Sequence, residues 1–310
     1  MNKKIFSVAL AIFLFGGIFL FSKVTAKKEL PCVKEISTEV QVEKNISKVE
    51  AAEEDIFTGM DGAIKNILND GSDYAVYIAY PEISEKYHIY TSTSQKFRSA
   101  SMIKVFILAT AMEKVKSGEL NLYQKMTIEA RNKVGGAGIL AGYATGTQLT
   151  MQEVLKDMII YSDNTATNMM IDLLGMDAVN KYLRDNGYND TILQRKMMDF
   201  NGRENYTSAK DLGNFFLKLY KNSKSETGGS YDQLMLEILK EQTDRECLNT
   251  ACPDKTIAHK TGALGGTFSD GGIIFGGKKG DTVLIMMSEN FTGEKIVIGK
   301  MKELAKYIIY

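Results

Sequence analysis

The feature that most constrains the fold is the placement of the strand-forming segments at the two ends of one long stretch. YAVYIAYP (Tyr74–Pro81) and KYHIYTS (Lys86–Ser92) are rich in β-branched and aromatic residues and read as two strands. Some 165 residues later, TIAHKTG (256–262), TFSDGGIIFGG (267–277) and TVLIMMSE (282–289) read as three more, with Gly-rich turns between them. The stretch between them is helical in character. A helix is predicted from about Ser101 to Lys116, with Val105, Leu108, Ala109 and Met112 on one apolar face and Gly118 beyond its end. Residues 150–185 (Leu155, Met158, Ile159) and 207–222 (Leu212, Phe215, Phe216, Leu219) carry the same helical spacing. Two further helices, from about Ala52 to Asn69 and from about Glu294 to Ile309, flank the strands. Distant strands meeting in one sheet imply an α/β sandwich: an antiparallel sheet with N- and C-terminal helices packed on it, plus an all-helical lobe. The crevice between sheet and lobe is then the natural site.

At 310 residues the chain can bury a sizeable core. Lysine plus arginine equals aspartate plus glutamate at 38 each, and the first 26 residues hold three lysines and no acid, so the remainder is mildly acidic. That is not the footprint of a nucleic-acid binder. Two histidines and three cysteines disfavour multi-histidine metal centres and every Ser-His or Cys-His pair. A catalytic serine must work without imidazole.

Asn2-Lys3-Lys4 precedes an uncharged run from Ile5 to Phe21, long for a signal core and short for a spanning helix, and Val24-Thr25-Ala26 fits a small-residue cleavage site. Residues 1–26 are therefore expected to be a signal peptide or an uncleaved membrane anchor, residues 27–51 a charged tether and 52–310 the working domain. Either alternative places that domain outside the cytoplasm, with membrane contact only through residues 5–21. Cys32 does not directly follow the apolar run, so no lipid anchor is expected. Outside the cell, Cys247 and Cys252 form either a bridge or a pair of unpaired loop thiols.

Three short motifs carry the chemistry. Ser101-Met102-Ile103-Lys104 puts a hydroxyl and an amine on one helical face, at a helix start whose free N–H groups favour a developing oxyanion. Ser162-Asp163-Asn164 falls between helical stretches. Lys260-Thr261-Gly262 lies on a strand before a Gly-rich turn. Singly each is weak: a Ser-x-x-Lys should occur by chance about once in a chain of this size. The set, in this order at separations of 61 and 98 residues, is not.

This trio resembles that of the class A β-lactamases and penicillin-binding proteins, and the chain is similar to that serine hydrolase superfamily from about Ala52 to Tyr310. YSDNTATNMMIDLLG and AHKTGALGGTFSDGGII extend the likeness to the class A branch. The resemblance implies that Ser101 is the nucleophile, acylated by a β-lactam or a D-alanyl peptide, and that Lys104 is its base, with an amine held partly neutral by burial and by Lys260. It implies that Ser162 relays the proton to the leaving nitrogen and that Asn164 holds the substrate's amide side chain. Lys260 and Thr261 take the substrate carboxylate, and the N–H groups of Ser101 and Ala263, beside Gly262, form the oxyanion hole. His259, alternating with Lys260, faces away in a structural role. The partner is a small molecule or peptidoglycan.

The chain departs from the class A pattern in three places. Aligning TILQRKMMDFNGREN on Arg195 and Asn201 puts Met197 where a Glu activates the deacylating water, leaving Asp199 as a possible substitute. Gly271 falls near the place of an arginine that supports carboxylate binding. GGAGILAG stands where a gate tyrosine is usual. An acyl-enzyme is thus expected to form and to clear slowly. A D-alanyl-D-alanine carboxypeptidase or transpeptidase, or a binding module without turnover, uses the same acylation residues. No cofactor motif is present: there is no Walker loop, dinucleotide fingerprint, G-x-S-x-G or H-E-x-x-H.

Overall fold

The computed structural model describes residues 56–93, 95–225 and 229–310. The first 55 residues, with the expected leader, tether and Cys32, lie outside the described residues. A five-stranded antiparallel sheet of order β2-β1-β9-β8-β7 forms the centre: β1 Asp73–Ala79, β2 Tyr87–Thr91, β7 Thr256–Leu264, β8 Thr267–Gly277 and β9 Gly280–Glu289. Early strand β1 pairs with late strand β9, Tyr77 opposite Ile285, as the sequence indicates. Four short strands of two or three residues form two small separate sheets. β3 (Phe97–Arg98) pairs with β6 (Tyr206–Thr207), and β4 (Lys125–Thr127) with β5 (Gln148–Thr150).

The sheet is covered on both faces, which is why its central strands read as nearly continuous apolar runs rather than as alternation. Ala75, Tyr77, Val283, Ile285 and Met287 face the helical lobe. Tyr74, Val76, Ile78, Leu284 and Met286 face the opposite layer, where α1 (Met60–Ile67) and α9 (Glu294–Ile309) pack together. The lobe consists of α2 (Lys104–Lys116), α3 (Met151–Ile160), α4 (Asn164–Leu174), α5 (Met176–Asp185), α6 (Ala209–Lys224) and α7 (Ser230–Lys240), with one-turn α8 (Leu248–Ala251) before β7.

Helix α2 is buried all round from Lys104 to Met112, so it is a core helix and not the amphipathic one that its spacing suggested. The predicted helical stretch 150–185 is three helices. Asp163 caps the second by accepting from Ala166 N, and Gly175 at φ +79 divides the second from the third. The first helix is shorter than expected, starting at Met60 after a turn. Cys247 and Cys252 are free buried thiols at opposite ends of α8, five residues or about 7.5 Å apart along its axis. Of the two states open for them, this structure has the thiols. Burial pushes Cys252 up to about 11 and Cys247 well above its ordinary value, so neither is an activated thiolate.

Candidate active site

Ser101 sits in a single 3-10 turn, Ala100–Ile103, which leads directly into α2 at Lys104. The sequence suggested an α-helical start. In a 3-10 turn, residues three apart eclipse one another, so Lys104 stands directly over Ser101 and the two share one face more closely than in an α-helix. Ala100, just before, has φ +42, and Ser162 has φ +52. Such left-handed backbone on non-glycine residues is held only where the surroundings over-determine it, and here both instances flank the same crevice.

Lys104 is fully buried. Its Nζ donates to the carbonyl and the Oγ of Ser162 (3.2 Å for the latter) and to Asn164 Oδ1 at 2.9 Å. Lys260, also fully buried, donates from Nζ to Ser162 Oγ at 3.0 Å and to its neighbour's carbonyl, Thr261 O, at 2.8 Å. One hydroxyl therefore lies between two amines that are 156 residues apart in sequence. Burial, then the neighbouring Lys260 charge, hold the Lys104 amine well below its ordinary range, with Asp163 opposing. Burial pushes Lys260 down to about 8, with Asp244 and Asp270 opposing.

The glycine of Lys260-Thr261-Gly262 has a steric reason. A Cβ there would stand 3.2 Å from the backbone nitrogens of both Ser101 and Met102, so only glycine lets β7 press against the turn that carries Ser101. Beside that contact a cleft of about 270 Å³ opens, lined by Ser101, Asn164, Ala263, Leu264 and Met197, among others. Thr261 lines a second groove together with Ser162, Asp244 and Arg245.

Around this centre other side chains fix the walls. Asp163 Oδ2 accepts from Ile139 N at 2.6 Å and Leu140 N at 2.7 Å, holding the glycine loop against the crevice. Asn164 Nδ2 donates to Gly135 O at 3.0 Å. On the loop before β6, Asn168 grips Met197 at both backbone atoms: its Oδ1 accepts from Met197 N at 2.8 Å and its Nδ2 donates to Met197 O at 3.3 Å. Met197 is buried, belongs to the core of the lobe and lines the cleft. Asp199 is exposed, with its Oδ1 accepting from Asn201 N at 3.1 Å, and does not line the cleft. Among the described residues, none lining the cleft is a carboxylate.

His259 faces away from the crevice, as alternation requires. Asn249 Nδ2 stands 2.8 Å from its Nε2, and its Nδ1 stands 2.7 Å from Asp270 Oδ1. Held at both ring nitrogens by Asn249 and Asp270, the imidazole is fixed in place on the far side of the strand from the crevice. Gly271 pairs with Lys260 across the sheet. The cation that shares a groove with Ser162 and Thr261 is Arg245, from the loop before α8. Nothing in its local sequence, TDREC, flagged it.

Two half-buried serines and two buried lysines brought into one crevice between an antiparallel sheet and a helical lobe, free of imidazole, define an acyl-transferring serine hydrolase. The profile of the Beta-lactamase enzyme family matches residues 60–309, and the chain belongs to that family. It is 24% identical over 212 residues to β-lactamase VEB-1 of Pseudomonas aeruginosa, covering 65% of this chain and 71% of that one. A β-lactamase from Sphaerobacter thermophilus has 26% identity, a TM-score of 0.70 and coverage of 80% and 96% of the two chains. PBP-A, solved as a leucine-to-glutamate variant in an acyl-enzyme complex with penicillin G, has 25% identity, a TM-score of 0.72 and coverage of 81% and 95%. The chain is a class A β-lactamase-like serine hydrolase.

Proposed function

We propose that the protein forms an acyl-enzyme at Ser101 with β-lactams and turns it over slowly. The observation that carries this reading is the Ser162 hydroxyl held between Lys104 at 3.2 Å and Lys260 at 3.0 Å beside the Ser101 cleft. Lys104 takes the Ser101 proton as Oγ attacks the lactam carbonyl. The Ser101 and Ala263 N–H groups receive the oxyanion, each worth roughly 3–4 kcal/mol in comparable sites. Ser162 passes a proton to the departing nitrogen. Asn164 holds the amide side chain, and Lys260 and Thr261 take the carboxylate, with Arg245 supplying the charge that Gly271 lacks. Met197 in place of a carboxylate leaves the water without a base. The same gap favours a second reading, a D-alanyl-peptide enzyme of the cell wall, for which the likeness to PBP-A is the support.

Time-resolved intact-mass spectrometry after mixing with penicillin G tests both. A persistent adduct on Ser101 is expected, with none in Ser101→Ala. An adduct that clears within seconds overturns slow turnover, and one that survives Ser101→Ala moves the nucleophile elsewhere. Release of D-alanine from a pentapeptide identifies the second reading.

The acylation rate should be bell-shaped in pH. It rises as Lys104 loses its proton and falls as Lys260 loses its own, through about 8. For stability the sign is the reverse of a salt-bridged lysine: folding disfavours the charged Lys260, so the cost is complete below about 8 and relieved between there and its unfolded value near 10.5. A flat profile from pH 6 to 10 for adduct formation is the outcome that contradicts this assignment.

Residues 52–310 are the working domain in this reading. Residues 27–51 serve as a tether to a leader or anchor in 1–26 that delivers the domain outside the cytoplasm, where β-lactams and peptidoglycan are met.

A further inference from the structure

The two N–H groups assigned to the oxyanion come from different elements. Ser101 lies on the 3-10 turn that leads into α2, and Ala263 lies near the end of β7. The hairpin beyond Ala263 turns at Gly265-Gly266, between the paired residues Leu264 and Thr267. A Cβ on Gly265 would meet nothing within 4 Å, so packing does not hold the turn at that point. Arg98, three residues before Ser101, reaches it instead. Its Nη2 donates to Gly265 O at 3.0 Å, and its Nε donates to Glu289 Oε1 at the end of β9. A Cβ on Gly266 would stand 3.6 Å from the same Nη2, so the guanidinium lies against the turn. Glu289 Oε1 also accepts from Thr267 Oγ1 at 3.1 Å, and Asn290 N donates to Gly266 O at 2.9 Å. The backbone around Arg98 is anchored to a different strand: Arg98 pairs with Tyr206 in β6, and Ser99 N donates to Asn205 O at 2.8 Å.

We infer that Arg98 is a positioning residue for the oxyanion hole, fixing the separation of the Ser101 and Ala263 N–H groups by clamping the Ser101 segment to the β7–β8 turn. The inference rests on the acyl-enzyme reading above. Between the two N–H groups, β7 meets the Ser101 turn at Gly262 by close contact. Such a contact limits approach but resists separation only weakly. The Arg98 fork supplies the resisting tie, with one nitrogen on Gly265 O, two residues past Ala263, and another on Glu289. Its donors keep a fixed planar geometry, so the carboxylate of Glu289 aims the nitrogen that holds the turn. Arg98 is not among the described residues that line the cleft, so it acts through the turn and not on the substrate. A donor moved off the oxyanion position weakens the transition state, where the charge is greatest, far more than ground-state binding.

Arg98→Gln and Arg98→Lys test the clamp with penicillin G, well below the thermal midpoint of each protein. Quenched intact mass over a range of drug concentrations gives the limiting acylation rate and the half-saturating concentration. The infrared band of the penicilloyl ester carbonyl reads the oxyanion hole directly. In Arg98→Gln the limiting rate should fall roughly 10–100-fold, a part of what loss of a whole oxyanion donor costs, with the half-saturating concentration nearly unchanged. The ester band should move to higher wavenumber, because a carbonyl that accepts weaker hydrogen bonds is less polarised. Arg98→Lys keeps a charge for Glu289 but not the rigid fork, so its rate and band should fall between those of wild type and Arg98→Gln. A lowered thermal midpoint with rate and band unmoved makes Arg98 merely structural and overturns the inference, as does a loss confined to the half-saturating concentration. If Arg98→Gln does not fold, Arg98→Lys decides by the same two readouts, and wild-type values in it overturn the clamp. No adduct on the wild-type protein removes the acyl-enzyme reading itself, and the role of Arg98 with it.

Discussion

Lys104→Met should lower the rate of Ser101 acylation by at least about 10³-fold while leaving the protein no less stable. Methionine matches the lysine stem in length and keeps the helix propensity of the first residue of α2. What it removes is the amine that reaches Ser162 Oγ and Asn164 Oδ1, and with it the proton acceptor one 3-10 turn above Ser101. The stability half of the prediction follows from the environment. Burial dominates the downward shift at Lys104 and Lys260 adds to it, so the folded state bears a penalty for any charge there. An uncharged thioether lifts that penalty. Against this, Asn164 Oδ1 and the Ser162 carbonyl each lose a donor, whereas Ser162 Oγ keeps Lys260 at 3.0 Å. A site that is poorer for stability and better for chemistry is the signature of a catalytic amine. Quenched intact-mass kinetics and thermal denaturation read the two halves separately. Acylation within tenfold of wild type would remove Lys104 from the mechanism. Lost acylation together with a large fall in thermal midpoint would make it a structural residue instead.

The motifs that meet in the crevice are legible in the sequence because each is short: Ser101 and Lys104 are three residues apart, and the other two motifs are contiguous. Their convergence followed from the strand arithmetic, since β1 pairs with β9 only if the chain returns on itself. Helix α9, Glu294–Ile309, was legible to the residue because its apolar spacing is unbroken. What was illegible depends on contacts between residues far apart in the chain. Asn168 clamps Met197 from 29 residues away, and Asp270 Oδ2 accepts from Leu248 N across 22. No local pattern encodes either. Helix α7, Ser230–Lys240, is not among the elements the sequence predicts, although Met235, Leu236, Ile238 and Leu239 are buried at helical spacing. The all-round burial of α2 is hidden for a different reason: VFILATAM is apolar on nearly every face, so a single apolar stripe is present in it regardless of how much of the helix is buried.

Met197→Glu should shorten the life of the penicilloyl adduct by roughly 10²–10⁴-fold, the usual worth of a positioned general base. The backbone at 197 is already fixed for such a role, since Asn168 holds both its N–H and its carbonyl, and the residue lines the same cleft as Ser101. Glutamate is close to methionine in length, so its carboxylate falls near where the thioether now ends. That position is 6% exposed and apolar, which raises a carboxyl pKa toward the range where it can both accept and release a proton at neutral pH. The gain should therefore fade as pH falls through that raised value, because the protonated acid cannot activate water. Burying the carboxylate costs stability, roughly 1–3 kcal/mol, unless it finds a water or an amide partner. Asp199→Asn is the matching control. Asp199 is exposed and engaged with Asn201 N, so its loss should leave the adduct lifetime unchanged. A lifetime that lengthens in Asp199→Asn would make that carboxylate the existing base. An unchanged lifetime in Met197→Glu would mean that no water reaches the ester carbonyl from this wall, and the slow step would then lie in access and not in base strength.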